Sequence, residues 1–454
     1  MRKGFIFNMN RCVGCQACVI ACQIENYSVQ SEPWRNVSTF NAFQHPLLPL
    51  FHFSLACNHC EIPLCMEHCP SSAYSKNESL QTIDHDSDRC IGCRYCTWAC
   101  PYDAPKFIHA RGVVEKCTLC KERIEVDLKP NCANLCPTGA LDFGDIKEEP
   151  VAQIPGFVDK GIRPGIKIIP LRKAQPPHPI TSFLEDKQNR LYKQLALRDR
   201  SKVNLKQEWP LTVFTILTSL LFGLTAASLF NPIAIDPIAF FVAGIVGMAL
   251  STLHLGKKAR AWRAITNWKT SWLSREVGTY LLFLALCGLS FLMYPGESMR
   301  VAASLAGLAT LISMDMVYTV AEKKPMPGLT SASVLVTGLL FFSALLGMMW
   351  LFVIVTGWKF IFYSLEFVRP PTRDLPRVVL SVFRIVVGFI LPFMLLGSPS
   401  GRIAAGILLV VAELINRAEF YVDLEFLSPQ RQINKDLLEE LDARSVRAEE
   451  VAKS

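Results

Sequence analysis

The residues of this sequence best suited to chemistry are sixteen cysteines in four short motifs. In chain order the motifs are Cys12, Cys15, Cys18 and Cys22; Cys57, Cys60, Cys65 and Cys69; Cys90, Cys93, Cys96 and Cys100; and Cys117, Cys120, Cys132 and Cys136. Iron–sulfur cubes require soft thiolates on a tight loop, and two-residue gaps let one loop hold three corners of a cube. The fourth corner must come from elsewhere. We therefore expect these thiols to hold four [4Fe–4S] clusters.

Zinc and disulfide bonds are the competing interpretations of clustered cysteines. Zinc sites do contain Cys-x2-Cys pairs. They rarely need a third cysteine so close in sequence, which occurs in Cys12–Cys18 and again in Cys90–Cys96. Three of the four motifs end in Cys-Pro, as ferredoxin motifs do. The chain opens without a signal-length apolar stretch or a twin arginine, which predicts a reducing compartment where disulfides are rare.

Spacing alone leaves the pairing of the motifs open, although two pseudo-twofold ferredoxin units are the simplest arrangement. Strand-like pieces such as Gly4–Asn8 and Gln81–Asp84 precede cysteine loops that run into short helical stretches. We therefore predict an α+β, ferredoxin-like electron-transfer domain over residues 1–146.

The order of the four motifs, with a longer insertion in the fourth, resembles the iron–sulfur subunits of the dimethyl sulfoxide reductase family over about residues 4–145. The resemblance implies that the first motif pairs with the fourth and the second with the third. The implied ligand sets are Cys12, Cys15, Cys18 with Cys136; Cys117, Cys120, Cys132 with Cys22; Cys57, Cys60, Cys65 with Cys100; and Cys90, Cys93, Cys96 with Cys69. It also implies a molybdenum-pterin catalytic subunit as partner.

Residues 147–208 are predicted to connect two domains. The Pro- and Gly-rich stretch from Lys147 to Pro179 favours extended, irregular structure that wraps around its neighbours. Ser182–Lys206 has the pattern of an amphipathic, basic helix that lies on the membrane surface or on a partner. A solvated linker helix is the alternative.

Residues 209–422 are predicted to form an all-α membrane domain of eight transmembrane helices. The apolar segments cover residues 210–231, 236–255, 272–294, 298–320, 330–346, 348–367, 377–397 and 401–421. Most of them reach the length of about 20 residues that spans a bilayer. Residues 330–367 are open to two interpretations, one long tilted helix or a tight hairpin near Gly347, and the first would reduce the count to seven.

Charge favours eight spans. With eight, the basic connections fall on one face: Lys187 to Lys206, Lys257 to Lys269, Lys323 and Lys324, Arg369 to Arg377, and the C-terminal tail. The positive-inside rule then predicts that both termini, the cysteine domain and the charged tail 423–454 lie on the cytoplasmic side of the inner membrane. The net charge of +8 is assigned to this topology, because no nucleic-acid-binding signature accompanies it.

A quinone is the expected electron carrier in the membrane. Membrane b-type hemes use axial histidines, usually in pairs, and His254 is the only histidine after His178. We therefore expect no heme, and menaquinone is the expected quinone.

Ionisable side chains inside the predicted spans point to the quinol pocket. At a rise of about 1.5 Å per residue, all of them lie within roughly 12 Å of the predicted cytoplasmic face. The candidate pocket residues are His254, Glu276, Tyr318, Arg384, Glu413 and Arg417. Asp315 and Lys359 lie at similar depth. Intramembrane charges are costly and usually functional. The alternative is snorkelling and structural ion pairing, for example of Arg384 with Glu413.

The membrane half also has sequence stretches that are similar to the quinol-oxidising anchor of the same reductase family, over about residues 206–422. They are Glu208–Thr215, Leu253–Gly256, Arg260–Arg263, Leu273–Glu276 and Ala412–Tyr421. The resemblance implies eight spans, no heme, and quinol binding at His254 and Glu276. Here the iron–sulfur subunit and the anchor would be fused. Well-known members of the family face the periplasm, whereas charge predicts the cytoplasmic side here.

These features predict a subunit that oxidises quinol and passes electrons through four clusters to a separate catalytic chain. One alternative is a quinone-reducing subunit that runs the other way, from formate or a sulfur compound. Another is a redox-coupled ion pump, although the ionisable residues stay in one half of the membrane. No nucleotide-binding glycine motif or nucleophile–base arrangement stands out, so substrate reduction is expected on another chain. Cys287 is expected to be an apolar span residue.

Overall fold

The computed structural model divides the chain into two compact units. The cysteine unit comprises residues 1–202 and 426–454, and the helical unit comprises residues 203–425. The structure describes residues 2–26, 33–42, 48–146, 157, 161–172, 203, 205–231, 233–293, 296–320, 330–368, 375–424, 426 and 428–453.

A three-stranded sheet lies at the centre of the cysteine unit. Its middle strand, Arg2–Asn8, pairs antiparallel with Leu141–Ile146 and parallel with Ile166–Ile169. Alternate residues of the middle strand, Phe5 and Phe7, are fully buried, as the two-residue period of a half-buried strand requires. The sheet therefore joins the first residues of the unit to the segment after the fourth cysteine motif.

The strand Ile166–Ile169 belongs to the stretch for which extended structure was predicted. Gly165 donates its N–H to the Asn58 carbonyl at 2.7 Å, and the N–H of Phe5 reaches the Gly165 carbonyl at 3.2 Å. This part of the stretch therefore packs along a cysteine loop. The other linker predictions, including nearly all of the helix predicted for Ser182–Lys206, lie outside the described residues.

Three two-stranded antiparallel hairpins complete the β-structure described in the cysteine unit. They are Asn36–Phe40 with Phe51–Leu55, Tyr74–Asn77 with Thr82–His85, and Lys106–Ile108 with Val113–Glu115. Short helices follow the cysteine loops, and they are Ala17–Glu25, Leu64–Glu67, Tyr95–Ala99, Lys121–Ile124 and Asn131–Asn134. Small sheets alternating with short helices agree with the predicted α+β class.

A long helix from the end of the sequence, Pro429–Lys453, also belongs to the cysteine unit. Its residues Ile433, Leu437 and Leu441 are buried in the same apolar core as Phe5 and Phe7. Their spacing of four residues puts them on one helix face. The charged tail predicted from sequence therefore contains an amphipathic helix that closes this core.

The helical unit consists of consecutive apolar helices. They are Leu205–Ala227, Pro237–Leu253, Trp272–Leu292, Glu297–Val317, Val334–Leu346, Met349–Val368, Leu375–Ile385, Leu391–Leu395 and Pro399–Val422. Three of them begin at a capping side chain. Asp236 accepts the N–H of Ile238, Ser333 that of Val336 and Ser398 that of Gly401, which satisfies an orphan donor at each helix start.

Four helices in the described part of the chain are long and apolar enough to cross a membrane, and a fifth is obtained if one bent pair counts as a span. The four are Leu205–Ala227, Trp272–Leu292, Glu297–Val320 and Val378–Leu395, and the bent pair is Pro237–Leu253 with Lys258–Ile265, which turn by 106°. Each of the eight predicted apolar segments contains a helix among its described residues, but a count of eight spans stays a prediction.

Two local devices shape these helices. Gly347, with φ of +69°, ends one helix before the next begins at Met349. Its N–H reaches the Ala344 carbonyl at 3.1 Å, as expected of a glycine that ends a helix in the left-handed region. The two helices pack on each other, so the structure has a hairpin here and not one long helix. A π-helical turn, Val386–Ile390, widens the backbone before Pro392, where a proline ring would otherwise meet the preceding turn.

Candidate functional site

The four cysteine loops share one backbone feature. The residue just before the second cysteine of each motif has a left-handed conformation, with φ of +70° at Gly14, +43° at His59, +71° at Gly92 and +63° at Leu119. A left-handed residue beside right-handed ones turns successive N–H groups toward the same point, and such nests hold phosphates and iron–sulfur groups. The loops are therefore built alike to surround an electron-rich group.

The N–H of each left-handed residue points at the first thiol of its motif. The distance to the sulfur is 3.4 Å from His59 to Cys57 and from Gly92 to Cys90, and 3.3 Å from Leu119 to Cys117. Gly14 makes the equivalent hydrogen bond to Cys12. Hydrogen bonds to the sulfurs are one of the features that set cluster potentials.

The thiols fall into four groups of four, defined here by their electrostatic neighbours. The Cys12 group is Cys12, Cys15, Cys18 and Cys136; the Cys57 group is Cys57, Cys60, Cys65 and Cys100; the Cys90 group is Cys90, Cys93, Cys96 and Cys69; and the Cys117 group is Cys117, Cys120, Cys132 and Cys22. Each group takes three thiols from one motif and one from another. These are the sets that the family resemblance implies.

A cavity lies between the thiols of the Cys57 group. All four thiols line it, together with Ile83, Tyr102 and the ammonium-bearing side chain of Lys116. A cavity lined by four thiols and a buried cation suits an anionic cluster.

The thiols also link one group to the next. Cys18 of the Cys12 group has Cys132 of the Cys117 group as a neighbour, and Cys117 has Cys57. Cys65 of the Cys57 group in turn has Cys69 of the Cys90 group as a neighbour. The groups therefore follow one another in the order Cys12, Cys117, Cys57, Cys90.

The donor set fits iron–sulfur clusters better than single metal ions. Among the described residues, no three His, Cys, Asp or Glu side chains converge closely enough to hold one ion, whereas a cube separates its ligands onto different corners. Burial raises the pKa of Cys22 to about 12 and that of Cys120 to about 11, with the neighbouring thiols adding to the rise. Such thiols lose their protons to a metal centre more readily than to water.

The charged residues of the helical unit form several separate arrangements. Asp315 accepts hydrogen bonds from Ser333 Oγ at 2.6 Å and from the N–H groups of Val334 and Leu335 at 2.8 and 3.1 Å. These N–H groups belong to the first turn of Val334–Leu346, where a carboxylate is favoured by the helix dipole. Asp315 therefore ties this helix start to the Glu297–Val317 helix.

Lys359 and Glu413 form a buried ion pair with an N–O distance of 2.7 Å. Lys359 Nζ also donates to Thr337 Oγ1 and to the Ser331 carbonyl, both at 2.9 Å. Asn416 Nδ2 donates to the same carbonyl at 2.8 Å. The ion pair joins the Met349–Val368 helix to the Pro399–Val422 helix, and Lys359 Nζ has three hydrogen-bond acceptors. Glu413 therefore holds these two helices together.

Arg384 pairs with Glu419 at 2.7 Å, and its guanidinium lies 3.6 Å from the centre of the Tyr363 ring. The ion pair of Arg384 with Glu413, which the sequence offered as a structural alternative, is therefore replaced by two different pairs. The reason is geometric: Lys359 reaches Glu413 from the Met349–Val368 helix. The sequence does not indicate that this helix packs beside the Pro399–Val422 helix.

Arg417 has a different environment from these paired residues. Its Nη1 donates to the Ala332 carbonyl at 2.8 Å, and its guanidinium lies 4.7 Å from the centre of the Tyr318 ring. Its Nε and Nη2 are buried and have no hydrogen-bond partner within the described residues. Buried donors without partners are rare and usually face a missing ligand, ion or water.

Several further polar groups meet around Arg417. Arg417 is the charged group that acts electrostatically on Glu276, whose side chain is buried. The hydroxyls of Tyr318 and Tyr421 are hydrogen-bonded to each other, and Glu208 is an electrostatic neighbour of both tyrosines. We call Arg417, Glu276, Tyr318, Tyr421 and Glu208 the Arg417 cluster. His254 lies half-buried directly after the Pro237–Leu253 helix.

Comparison with known proteins identifies both units. The family model for a 4Fe-4S dicluster domain matches residues 48–146, and that for the DMSO reductase anchor subunit matches residues 204–363. A polypeptide of the anaerobic dimethyl sulfoxide reductase of Escherichia coli (strain K12) is 38% identical over 153 residues, which are 32% of this chain and 74% of that relative. This protein belongs to the dimethyl sulfoxide reductase family.

Other relatives of the dimethyl sulfoxide reductase family match as well. A subunit of the sulfite dehydrogenase of Allochromatium vinosum is 38% identical over 164 residues, 32% of this chain and 68% of that relative. A subunit of the tetrathionate reductase of Salmonella typhimurium is 33% identical over 188 residues, 41% of this chain and 74% of that relative. Each of these matches covers less than half of the present sequence, which also carries the anchor. This chain is therefore an iron–sulfur subunit fused to a membrane anchor.

Two members of the Arg417 cluster, Glu208 and Tyr421, were not among the predicted pocket residues. Both lie within stretches on which the resemblance to the reductase anchor rests, so the signal was present in the sequence. Glu208 was overlooked because it precedes the predicted start of the first span, while the helix already begins at Leu205. Tyr421 was overlooked because it follows the charged residues of the last span.

Proposed function

We propose that this protein oxidises quinol in the membrane and passes the electrons through four [4Fe–4S] clusters to a separate molybdenum-pterin catalytic subunit. The observation that carries the proposal is the arrangement of sixteen thiols in four neighbouring groups, each built on the same nest-forming loop. Each bound cluster supplies one-electron redox chemistry. The sixteen cysteines hold the clusters, and their loop amides hydrogen-bond to the sulfurs.

The order of the groups supports a linear wire. Neighbouring thiols connect the Cys12 group to the Cys117 group, that group to the Cys57 group, and that in turn to the Cys90 group. The Cys12 and Cys90 groups are therefore the two ends. Cys15, in the Cys12 group, is exposed, which suits an end of the wire at which electrons pass to another protein.

The Arg417 cluster is the proposed quinol-binding site. Arg417 offers a quinone oxygen two donors that have no partner among the described residues. Glu276 takes the proton that quinol releases, and the Tyr318–Tyr421 hydroxyl pair offers a second donor or acceptor. His254 remains a proposed second proton acceptor on the strength of the family resemblance. Arg384 and Glu413, whose charges are already paired, hold the surrounding helices.

The reductase names support the direction from quinol to catalytic subunit. The anchor model that matches is that of a reductase, and two of the three relatives are reductase components. One relative is a component of a dehydrogenase, which keeps quinone reduction as the second candidate function. A redox-coupled ion pump is a third, and proton uptake by liposomes that contain the complex during quinol oxidation would distinguish it.

Cytoplasmic exposure of the cysteine unit belongs to the same proposal and rests on the positive-inside rule. Protease treatment of inverted and right-side-out membrane vesicles tests it. We expect the cysteine unit to be cleaved in inverted vesicles only, and cleavage in right-side-out vesicles only would reverse the assignment.

The cluster content is tested by iron and labile-sulfide analysis of anaerobically purified protein, combined with low-temperature EPR after dithionite reduction. Four cubes correspond to about 16 irons per chain, with magnetically interacting signals from neighbouring clusters. Stoichiometric zinc with few irons would overturn the proposal and leave a structural metal domain.

A further inference from the structure

Arg35 is a buried cation in the middle of the cysteine unit that the ligand sets do not account for. Its side chain is 1% exposed, and it directly precedes the strand Asn36–Phe40. Nη1 donates to Ser54 Oγ at 3.1 Å, and the guanidinium lies 4.4 Å from the centre of the Phe5 ring. Arginine remains protonated in proteins. A full positive charge is therefore held in the apolar core.

Two further donors of Arg35 have no partner in the described part of the chain. Within the described residues, Nε and Nη2 have no hydrogen-bond partner, and the main electrostatic neighbours of the guanidinium are thiols. Burying a charge without a partner is strongly unfavourable. Among the described residues, the groups that could balance the Arg35 charge are therefore the neighbouring cysteines and what they bind.

The groups that do surround Arg35 are cysteines of two different groups. Its electrostatic neighbours are Cys18 of the Cys12 group and Cys132, Cys117 and Cys22 of the Cys117 group. Ser54, which accepts the hydrogen bond from Arg35, also lies 3.4 Å from Cys18 Sγ. Arg35 is thus located where the Cys12 group and the Cys117 group meet, at the step marked by Cys18 and Cys132.

We propose that Arg35 is a charge-compensating residue that raises the reduction potentials of the two clusters held by the Cys12 and Cys117 groups. A cube with four thiolates is a net anion and gains a further negative charge when reduced. A fixed positive charge next to both cubes stabilises the reduced state of each, and burial keeps the interaction unscreened. Arg35 therefore favours electron occupancy at the step between the Cys117 and Cys12 groups, at the end of the wire where electrons pass to another protein. This inference rests on the proposed cluster function.

The test is a potentiometric titration, monitored by EPR, of the purified full-length protein and of the variant Arg35→Gln. We expect the reduction equilibria of two of the four clusters to shift at least tenfold toward the oxidised state, which corresponds to about 59 mV for a one-electron couple. The other two clusters should keep their potentials. Arg35→Lys keeps the charge and should show a smaller downward shift.

Arg123→Gln is the matched control. Arg123 also acts on a thiol of the Cys117 group, namely Cys120, but it is partly exposed and lies 3.5 Å from Glu25. Because solvent and the carboxylate screen this charge, its removal should shift the potentials far less than Arg35→Gln. Equal shifts in the two variants would overturn the proposal, since burial of the charge would then have no special effect.

If Arg35→Gln keeps the wild-type iron content and its cluster potentials are unchanged, the proposal is wrong and Arg35 has a packing role only. If Arg35→Gln loses iron, Arg35→Lys carries the test. Iron content restored by lysine, with potentials close to those of the wild-type protein, would support the charge role, and iron content as low as in Arg35→Gln would contradict it. Failure of the underlying cluster function would look different, because the wild-type protein itself would then lack cube signals.

Discussion

At the scale of single residues, the chemistry of this protein depends on which thiols share a cluster. The structure groups Cys65 with Cys57, Cys60 and Cys100, where the four thiols line one cavity. The remaining cysteine, Cys287, is buried in the Trp272–Leu292 helix with its sulfur 3.7 Å from Thr225 Oγ1. The two cysteines should therefore respond very differently to substitution.

Cys65→Ser should lower the iron content and remove or convert the signal of one cluster, because serine replaces a soft ligand by a hard one. Iron analysis and EPR of the reduced protein measure this. Cys287→Ala is the control and should keep the full iron content. A Cys65→Ser protein with unchanged iron and spectra would show that this thiol is not a ligand.

Sequence alone could nominate the motif cysteines as candidate ligands, because three closely spaced thiols on one loop are a local pattern. The position of Arg35 could not be predicted in this way. Nothing in the residues around it marks its approach to Cys18 and Cys132, which depends on the packing of separate segments. The same holds for Lys359, whose pairing with Glu413 joins residues far apart in the sequence.

At the scale of secondary-structure elements, the buried pair of Lys359 and Glu413 connects two helices of the membrane anchor. Lys359→Met should destabilise the protein by about 3 kcal/mol, because the Glu413 charge is left buried without its partner. Thermal or denaturant unfolding in detergent measures the change. The double variant Lys359→Met with Glu413→Gln should recover most of the loss, and equal destabilisation in both would contradict this explanation.

The C-terminal helix Pro429–Lys453 is a second element whose contribution is testable. Leu441 is fully buried in the core of the cysteine unit, so Leu441→Ala should cost roughly 2–5 kcal/mol and make the clusters more labile. Glu439→Ala, on the exposed side of the same helix, should change stability by less than about 0.5 kcal/mol. Equal effects would mean that the helix face does not pack as described.

Helices could be predicted from sequence where the pattern that specifies them is local. The apolar segments become helices, and Gly347 ends one of them as its lack of a side chain allows. The prediction did not extend to the C-terminal helix, although Ile433, Leu437 and Leu441 repeat every four residues. The charged residues around them dominated the composition and concealed the apolar stripe.

At the scale of the whole molecule, the protein combines four groups of thiols with a membrane anchor. The buried charged residues of the anchor are of two kinds. Lys359, Glu413, Arg384 and Glu419 are paired and hold helices together. Arg417 keeps two donors without partners in the described residues, next to Glu276. This difference, which sequence could not provide, supports quinol binding at the Arg417 cluster.

The most direct test is anaerobic mixing of the purified protein with a menaquinol analogue while cluster reduction is followed by rapid-freeze EPR. The wild-type protein should be reduced by the quinol. Glu276→Gln should be reduced about a hundredfold more slowly, since a proton acceptor is lost, yet fully by dithionite. Glu297→Gln, an exposed carboxylate of the same unit, should behave as wild type. Clusters that dithionite reduces but quinol does not, in the wild-type protein, would contradict the account.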